Sequence, residues 1–235
     1  MSPIFLEGER MDYSPLWISL KTVSLATVLA FVIGLFAARL VKRADRRVQG
    51  VLDTIFTLPM VLPPTVVGFI LLVIFGANGP IGQLLMKVGY QIVFSWPATV
   101  IAATVVAFPM VYRTTRGAFE QVDTSLLNAG RTLGLSEEYI FWKIMLPLSW
   151  PGTLSGIILG FARALGEFGA TIMIAGNIAG RTQTIPIAIY SAVQGGDMKT
   201  AVYWVIIIMV ISLAVIWMMN YWSARQTEWS AKRRG

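Results

Sequence analysis

Five long apolar stretches run along the chain, at residues 16–38, 54–75, 88–112, 144–174 and 200–224. A helix that crosses a bilayer needs about 20 mainly apolar residues, so each stretch predicts a transmembrane helix. The first carries a single charge, Lys21, near its start, and the second, third and fifth carry none. Pro59, Pro63 and Pro64 predict a kink or local unwinding in the second. The third contains Pro97 and Pro109, and the fourth is interrupted by Arg163 and Glu167. A shorter apolar run at 185–193 is too short to cross and predicts an interfacial or re-entrant helix. There is no internal repeat and no low-complexity tract.

Composition supports the pattern. Of 235 residues, 56% are hydrophobic and only 13% charged, with a mean hydropathy of +0.68. A soluble domain carries about 25% charged residues. The chain has no cysteine and no histidine. That excludes disulfides, thiol nucleophiles, His-dependent triads and imidazole or thiolate metal sites. No glycine-rich phosphate loop is present, so any ATP used must be bound by another subunit.

The net charge of +7 is a matter of topology rather than of nucleic-acid binding, because lysine and arginine collect in cytoplasmic loops. If five spans alternate, one side holds Arg39, Lys42, Arg43, Arg46, Arg47, Arg113, Arg116, Arg131, Lys143 and the tail residues Arg225, Lys232, Arg233 and Arg234. The other side holds Arg10, Lys87, Arg181 and Lys199. The asymmetry places the C-terminus in the cytoplasm and the N-terminus outside. Segment 1–15 mixes acids with one arginine and lacks the layout of a removable signal peptide. Trp96, Trp204, Trp217 and Trp222 lie near span ends and are expected as interface anchors. Met145, Met209, Met218 and Met219 are expected in packing or lipid contact.

The cytoplasmic stretch 113–149 is unlike a simple connection. Residues 123–133 predict a short helix with Asp123 and Ser125 as candidate caps. Gly134 breaks it. Ser136 starts a second helix, with Glu137 and Glu138 in its positive first turn and Pro147 limiting its continuation. Ile140, Phe141 and Trp142 are large apolar groups in a segment expected in water. They suit either a helix packed on its own membrane domain or one inserted into a groove of another protein.

These residues carry a family resemblance. Permease subunits of binding-protein-dependent ABC importers have a cytoplasmic motif of Glu-Ala-Ala, three residues, Gly, nine residues, Ile, one residue, Leu-Pro. Here Asn128, Ala129 and Gly130 are followed at the same spacing by Gly134, Ile144, Leu146 and Pro147. Asn128 stands in place of Glu and Gly130 in place of Ala. Residues 58–68, with Pro63, Pro64 and Gly68, look like the second-span signature of molybdate permeases. Residues 161–171, with Arg163, Gly166 and Glu167, resemble a signature shared by molybdate and sulfate permeases, and residues 184–190 match the segment after it. The resemblance covers roughly residues 11–225.

It implies an all-α integral membrane protein of the type I ABC importer permease fold, with five transmembrane helices and a cytoplasmic coupling-helix loop. The expected layout is an external segment 1–15, a transmembrane domain 16–225 with its coupling loop at 113–149, and a basic cytoplasmic tail 226–235. The implied partners are a second copy of the chain, a cytoplasmic ATPase dimer that binds ATP and Mg, an external molybdate-binding protein and the lipid bilayer of the inner membrane. Nucleic acid is not among them. The chain would hold no cofactor and catalyse no bond chemistry. ATPase coupling would fall to Asn128, Ala129, Gly130, Gly134, Leu135, Phe141, Ile144, Leu146 and Pro147, and the pathway or its gating to Pro63, Pro64, Arg163, Gly166 and Glu167. Tungstate and sulfate are alternative substrates, and a stand-alone secondary transporter or channel is the alternative of another class.

Arg163 and Glu167 are one helical turn apart, so their side chains can meet. Each would cost about 2.5–3.5 kcal/mol facing lipid at a helix centre. A buried structural ion pair is the plainer reading, and Arg163 as a weak anion contact on the pathway is the functional one. Gly156 and Gly160 allow close helix approach.

Overall fold

The computed structural model describes residues 12–232, with side chains through Met218 and at Tyr221. Expectations for segment 1–11, for Met219 and Trp222, and for the side chains of the basic tail lie outside the described residues. Eleven α-helices and no strand are found among them. Four helical stretches are long and apolar enough to cross a membrane: Ser14–Arg43 (α1), Trp96–Glu120 (α5), Glu137–Leu165 and Met198–Met218. The fifth crossing is a broken one. Arg46–Val61 (α2) and Pro64–Phe75 (α3) meet at an angle of 111°. Pro63 and Pro64 cause the break, because Pro64 supplies no backbone donor and Pro63 occupies the extended cap position at ψ 136°.

Pro80–Met86 (α4) is a short helix after the broken span. The third expected span begins later and ends later than its apolar run. Residues 88–95 turn instead, with Gly89 at φ 74° and Phe94 at φ 61°. Helix α5 starts at Trp96 with Pro97 pre-set in its first turn. It continues past Tyr112 to Glu120, where Arg116 and Glu120 pair one turn apart at 3.1 Å. α5 is the axis of the fold: 67% of its apolar stretch is buried, against 11% for the last helix. It packs along α1 through Val23, Ala26, Ala30, Ala103 and Ala107, small side chains that let the two helices approach.

The stretch between α5 and the next crossing holds Thr124–Thr132 (α6) and Glu137–Ile140 (α7). Pro147 does not end the second helix of this stretch. A π-turn at Phe141–Met145 carries the backbone into Leu146–Leu165 (α8), with the Leu146 N–H donating to the Phe141 carbonyl. The wider turn absorbs the proline, and Ser149 Oγ donates to the Met145 carbonyl at 2.8 Å.

The fourth apolar run is not one helix. It stops at Leu165 and restarts as Gly169–Ala175 (α9), leaving Gly166, Glu167 and Phe168 in the gap. The 185–193 run is the short helix Ile185–Gln194 (α10), and Met198–Lys232 (α11) closes the chain. Trp204 is not an interface anchor. It is 2% exposed and fills the junction of α10 and α11 beside Ile185 and Ala188. Trp217, 70% exposed, has the outward position expected of an anchor.

Candidate functional site

Local chemistry builds the α6–α7 turn. Asp123 Oδ1 accepts from the Ser125 N–H at 2.8 Å, capping α6. That backbone donor holds the Asp123 carboxyl below the usual carboxylate range. Ser136 Oγ accepts from the Tyr139 N–H at 3.2 Å, capping α7. Between them Gly134 adopts φ +75°. Its N–H donates to the Arg131 carbonyl at 2.9 Å, and the Leu135 N–H donates to the Gly130 carbonyl at 3.1 Å. This is the paired-bond helix stop that favours glycine.

Gly130 has a different job. A β-carbon there would stand 3.2 Å from Ile140 Cγ1 and 3.3 Å from Ile144 Cδ1. The bare α-carbon lets α6 lie directly on α7 and the π-turn, with Leu127 buried on the same face. The motif spacing is thus a piece of packing: Gly130 meets Ile144, and Gly134 stops the helix between them. On another face Leu126, Ala129 and Leu133, at i, i+3 and i+7, are exposed together, Leu133 by 78%. Leu135, Ile144 and Leu146 are partly buried on the chain's own core, and Pro147 is exposed.

Phe141 does not belong to an outer docking face. It is 2% exposed, packed edge-on to Phe119 and covered by the Arg39 guanidinium 4.1 Å from its ring centre. Neither sequence neighbours nor spacing mark this burial, because α1 supplies the cover. Salt bridges fasten the loop to α1 as well. Arg39 and Arg43 both reach Glu138, and Lys42 Nζ donates to the Phe119 carbonyl at 2.6 Å. Arg131 bridges to Glu137 at 2.6 Å and to Asn128 Oδ1 at 2.8 Å. The Glu137 bond pushes the Arg131 pKa up. Asn128, in the position of the motif's glutamate, is therefore occupied within its own loop.

The intramembrane pair forms. Arg163 Nη1 donates to Glu167 Oε2 at 3.0 Å. Glu167 is 3% exposed and its Oε1 also accepts from the Ala170 N–H at 2.7 Å, capping the start of α9. One carboxylate thus balances a cation and an orphan helix donor. Pro64 lies against Gly169, where a β-carbon would come within 2.9 Å. The break between α2 and α3 therefore stacks on the break between α8 and α9. Pro63, Pro64, Arg163 and Glu167 are brought to one region, and Gly166 faces open space.

One charged cluster has no signal in the sequence. Asp53 of α2 pairs with Arg116 and accepts from the Tyr112 hydroxyl, both on α5. The three border a cavity of about 480 Å³ with Arg113 and Glu120. α2 has no buried residue, so this cluster and Phe56, edge-on to Phe108 and Tyr112, are its main hold on α5. Among the described residues no group of three His, Cys, Asp or Glu side chains could hold a metal ion.

Residues 30–227 match the family described as binding-protein-dependent transport system inner membrane component. The chain belongs to this family. Its members are transport subunits and not enzymes, with ATP hydrolysis in a separate ATPase subunit. The permease is 43% identical to the putative molybdenum transport system permease protein YvgM of Bacillus subtilis, over 88% of this chain and 92% of that one. It is 41% identical to the molybdenum transport system permease protein ModB of Haemophilus influenzae, over 95% of each. Against the Escherichia coli ModB the identity is 42%, over 91% of this chain and 94% of that one.

Solved structures give the permease its fold. The inward-facing MetNI methionine ABC transporter superposes with a TM-score of 0.67 at 20% identity, over 92% of this chain and 99% of that one. A bacterial ABC transporter that imports alginate gives 0.74 at 16% identity, over 90% and 78%. The fold is that of type I ABC importer permeases.

Proposed function

We propose that this permease carries molybdate across the inner membrane by alternating access, driven by a separate ATPase dimer and fed by an external molybdate-binding protein. The observation that carries the substrate is the 41–43% identity to molybdenum permeases over nearly the whole chain. Tungstate and sulfate resemble molybdate in charge and shape, and the delivering protein would do most of the sorting. A second copy of the chain completes the pathway in this reading. The N-terminus faces outside and the C-terminus the cytoplasm, following the bias of lysine and arginine.

The layout is a transmembrane unit at 16–225, an external segment at 1–15, a basic tail at 226–235 and a coupling region within 113–149. The ATPase docks on the exposed Leu126–Ala129–Leu133 face of α6, next to Asn128. Gly130, Gly134 and Ile144 act behind that face, holding α6 on the π-turn so that its movement reaches α8 through Leu146 and Pro147. Arg163, Gly166, Glu167, Pro63 and Pro64 form the gating region, where two helix breaks meet. A transition between two packings then needs each ligand to favour one of them.

The test is anion-stimulated ATP hydrolysis in liposomes holding the permease and its ATPase, with the binding protein and molybdate, tungstate or sulfate. Stimulation by molybdate above sulfate is expected. Stimulation by sulfate alone overturns the substrate. A permease that forms no complex with the ATPase overturns the coupling role of α6.

A further inference from the structure

We infer that the cytoplasmic end of α1 is a binding site for the phosphate headgroup of an anionic phospholipid, with the lipid tails lying along α1. The inference rests on the reading that residues 39–43 end a membrane span on the cytoplasmic side.

Charge comes first. Arg39, Lys42, Arg43 and Arg131 surround a cavity of about 120 Å³ between α1, α6 and the π-turn. Three acids face them: Glu137 on Arg131, Glu138 on Arg39 and Arg43, and Glu120 near Lys42. The bases outnumber the acids, so positive charge remains uncompensated. Arg39 is largely buried, with 12% of its side chain exposed. Its Nε is buried and has no hydrogen-bond partner. A buried guanidinium N–H left unpaired is costly, and a phosphate in the cavity is a strong acceptor for the guanidinium groups that line it.

Shape comes second. On α1 the exposed apolar residues Leu25, Leu29, Val32, Phe36 and Leu40 follow helical spacing and form one stripe along the axis. Arg39 and Arg43 continue that stripe at its cytoplasmic end. Trp142, 42% exposed, stands edge-on to Phe36 at 6.4 Å and lies beside Arg39, its ring centre 6.0 Å from the guanidinium carbon. A tryptophan at the foot of an apolar stripe and at the lip of a basic cavity occupies the level of lipid headgroups. A free oxyanion has no use for the stripe. A phospholipid uses both parts, and basic pockets between helices on the cytoplasmic side suit anionic headgroups.

Loss of one such base weakens binding about fivefold, and loss of two about twenty-five-fold. The experiment titrates the full-length permease in neutral detergent, read by native mass spectrometry. The probes are dioctanoyl phosphatidylglycerol, dioctanoyl phosphatidylcholine, inorganic phosphate and molybdate. Arg43 and Arg131 are half-exposed, at 52% and 51%, so Arg43→Gln and Arg131→Gln leave the core intact, and gel filtration checks this. Phosphatidylglycerol is expected to bind tighter than phosphatidylcholine, to weaken about fivefold in Arg43→Gln and about twenty-five-fold in the double variant. Equal binding of the two lipids, or undiminished binding by the double variant, overturns the site. Displacement of phosphatidylglycerol by millimolar phosphate or molybdate also overturns it, since the cavity then takes the free anion. Lipid binding is read without transport, so its failure leaves the permease reading standing, and failed ATPase stimulation leaves this site standing.

Discussion

Gly68 on α3 and Ala170 on α9 are in backbone contact: a β-carbon on Gly68 would stand 2.7 Å from the Ala170 α-carbon and 2.8 Å from its carbonyl oxygen. No side chain can rotate to relieve that approach. Gly68→Ala is expected to push the two helix breaks apart and to cost about 1–3 kcal/mol or more. The check is the thermal midpoint of the purified permease, which should fall, together with loss of anion-stimulated ATP hydrolysis.

Gly130 differs because its neighbours are the flexible ends of Ile140 and Ile144. Gly130→Ala gains up to about 1 kcal/mol of helix propensity, against a shift of those ends by a few tenths of an ångström. The thermal midpoint should stay level or rise. A clear fall would mean that the isoleucines are locked and that α6 tolerates no added volume.

Glu167→Gln keeps an oxygen for the Ala170 N–H but removes the charge opposite Arg163. Breaking a fully buried pair costs about 3–5 kcal/mol. Arg163 is one-third exposed, so a smaller loss of about 1–3 kcal/mol is expected. Stability and coupling should drop while the preference among molybdate, tungstate and sulfate is unchanged. An altered anion preference with intact coupling would instead assign Arg163 to the pathway.

Charging the exposed face of α6 separates docking from folding. Leu133→Glu is expected to release the ATPase from the purified complex while the permease keeps its thermal midpoint. Phe141→Glu places a charge in the core beneath Arg39 and is expected to prevent stable accumulation of the permease. If Leu133→Glu leaves the complex whole, α6 is a surface helix and docking lies elsewhere.

The chain has no native cysteine, so single introduced cysteines report topology without background. Gln83 and Ser136 are both exposed. Cysteines there should react with an impermeant maleimide from opposite sides of the membrane. Reaction of both from outside would overturn the proposed topology.

What was legible in the sequence was local. Asp123, Gly134 and Ser136 are caps and a stop whose partners lie within a few residues, and all three act as their residue types predict. Arg163 and Glu167 are one turn apart, and they pair. What depended on distant packing was hidden. Phe141 and Trp204 look like surface or interface aromatics until α1 and α10 cover them. Asp53 carries no motif, and its link to Tyr112 spans 59 positions. The fourth apolar run conceals its gap because Gly166 and Phe168 interrupt the helix without interrupting the hydropathy. Pro147 was misleading in isolation, since the five residues before it adopt a wider turn.

That wider turn also sets a phase. Successive residues of an α-helix are about 100° apart around its axis. The π-turn at Phe141–Met145 takes up one residue more than a regular turn. Everything N-terminal to it, Gly130's seat on Ile140 included, is therefore indexed to α8 by a fixed angular offset. Losing one residue from the wide turn itself would restore a regular turn and leave that offset nearly unchanged. Losing one from regular α8 just after it would swing the outer loop round the axis by roughly a quarter of a circle, so that a correctly folded α6 met its partner with the wrong side.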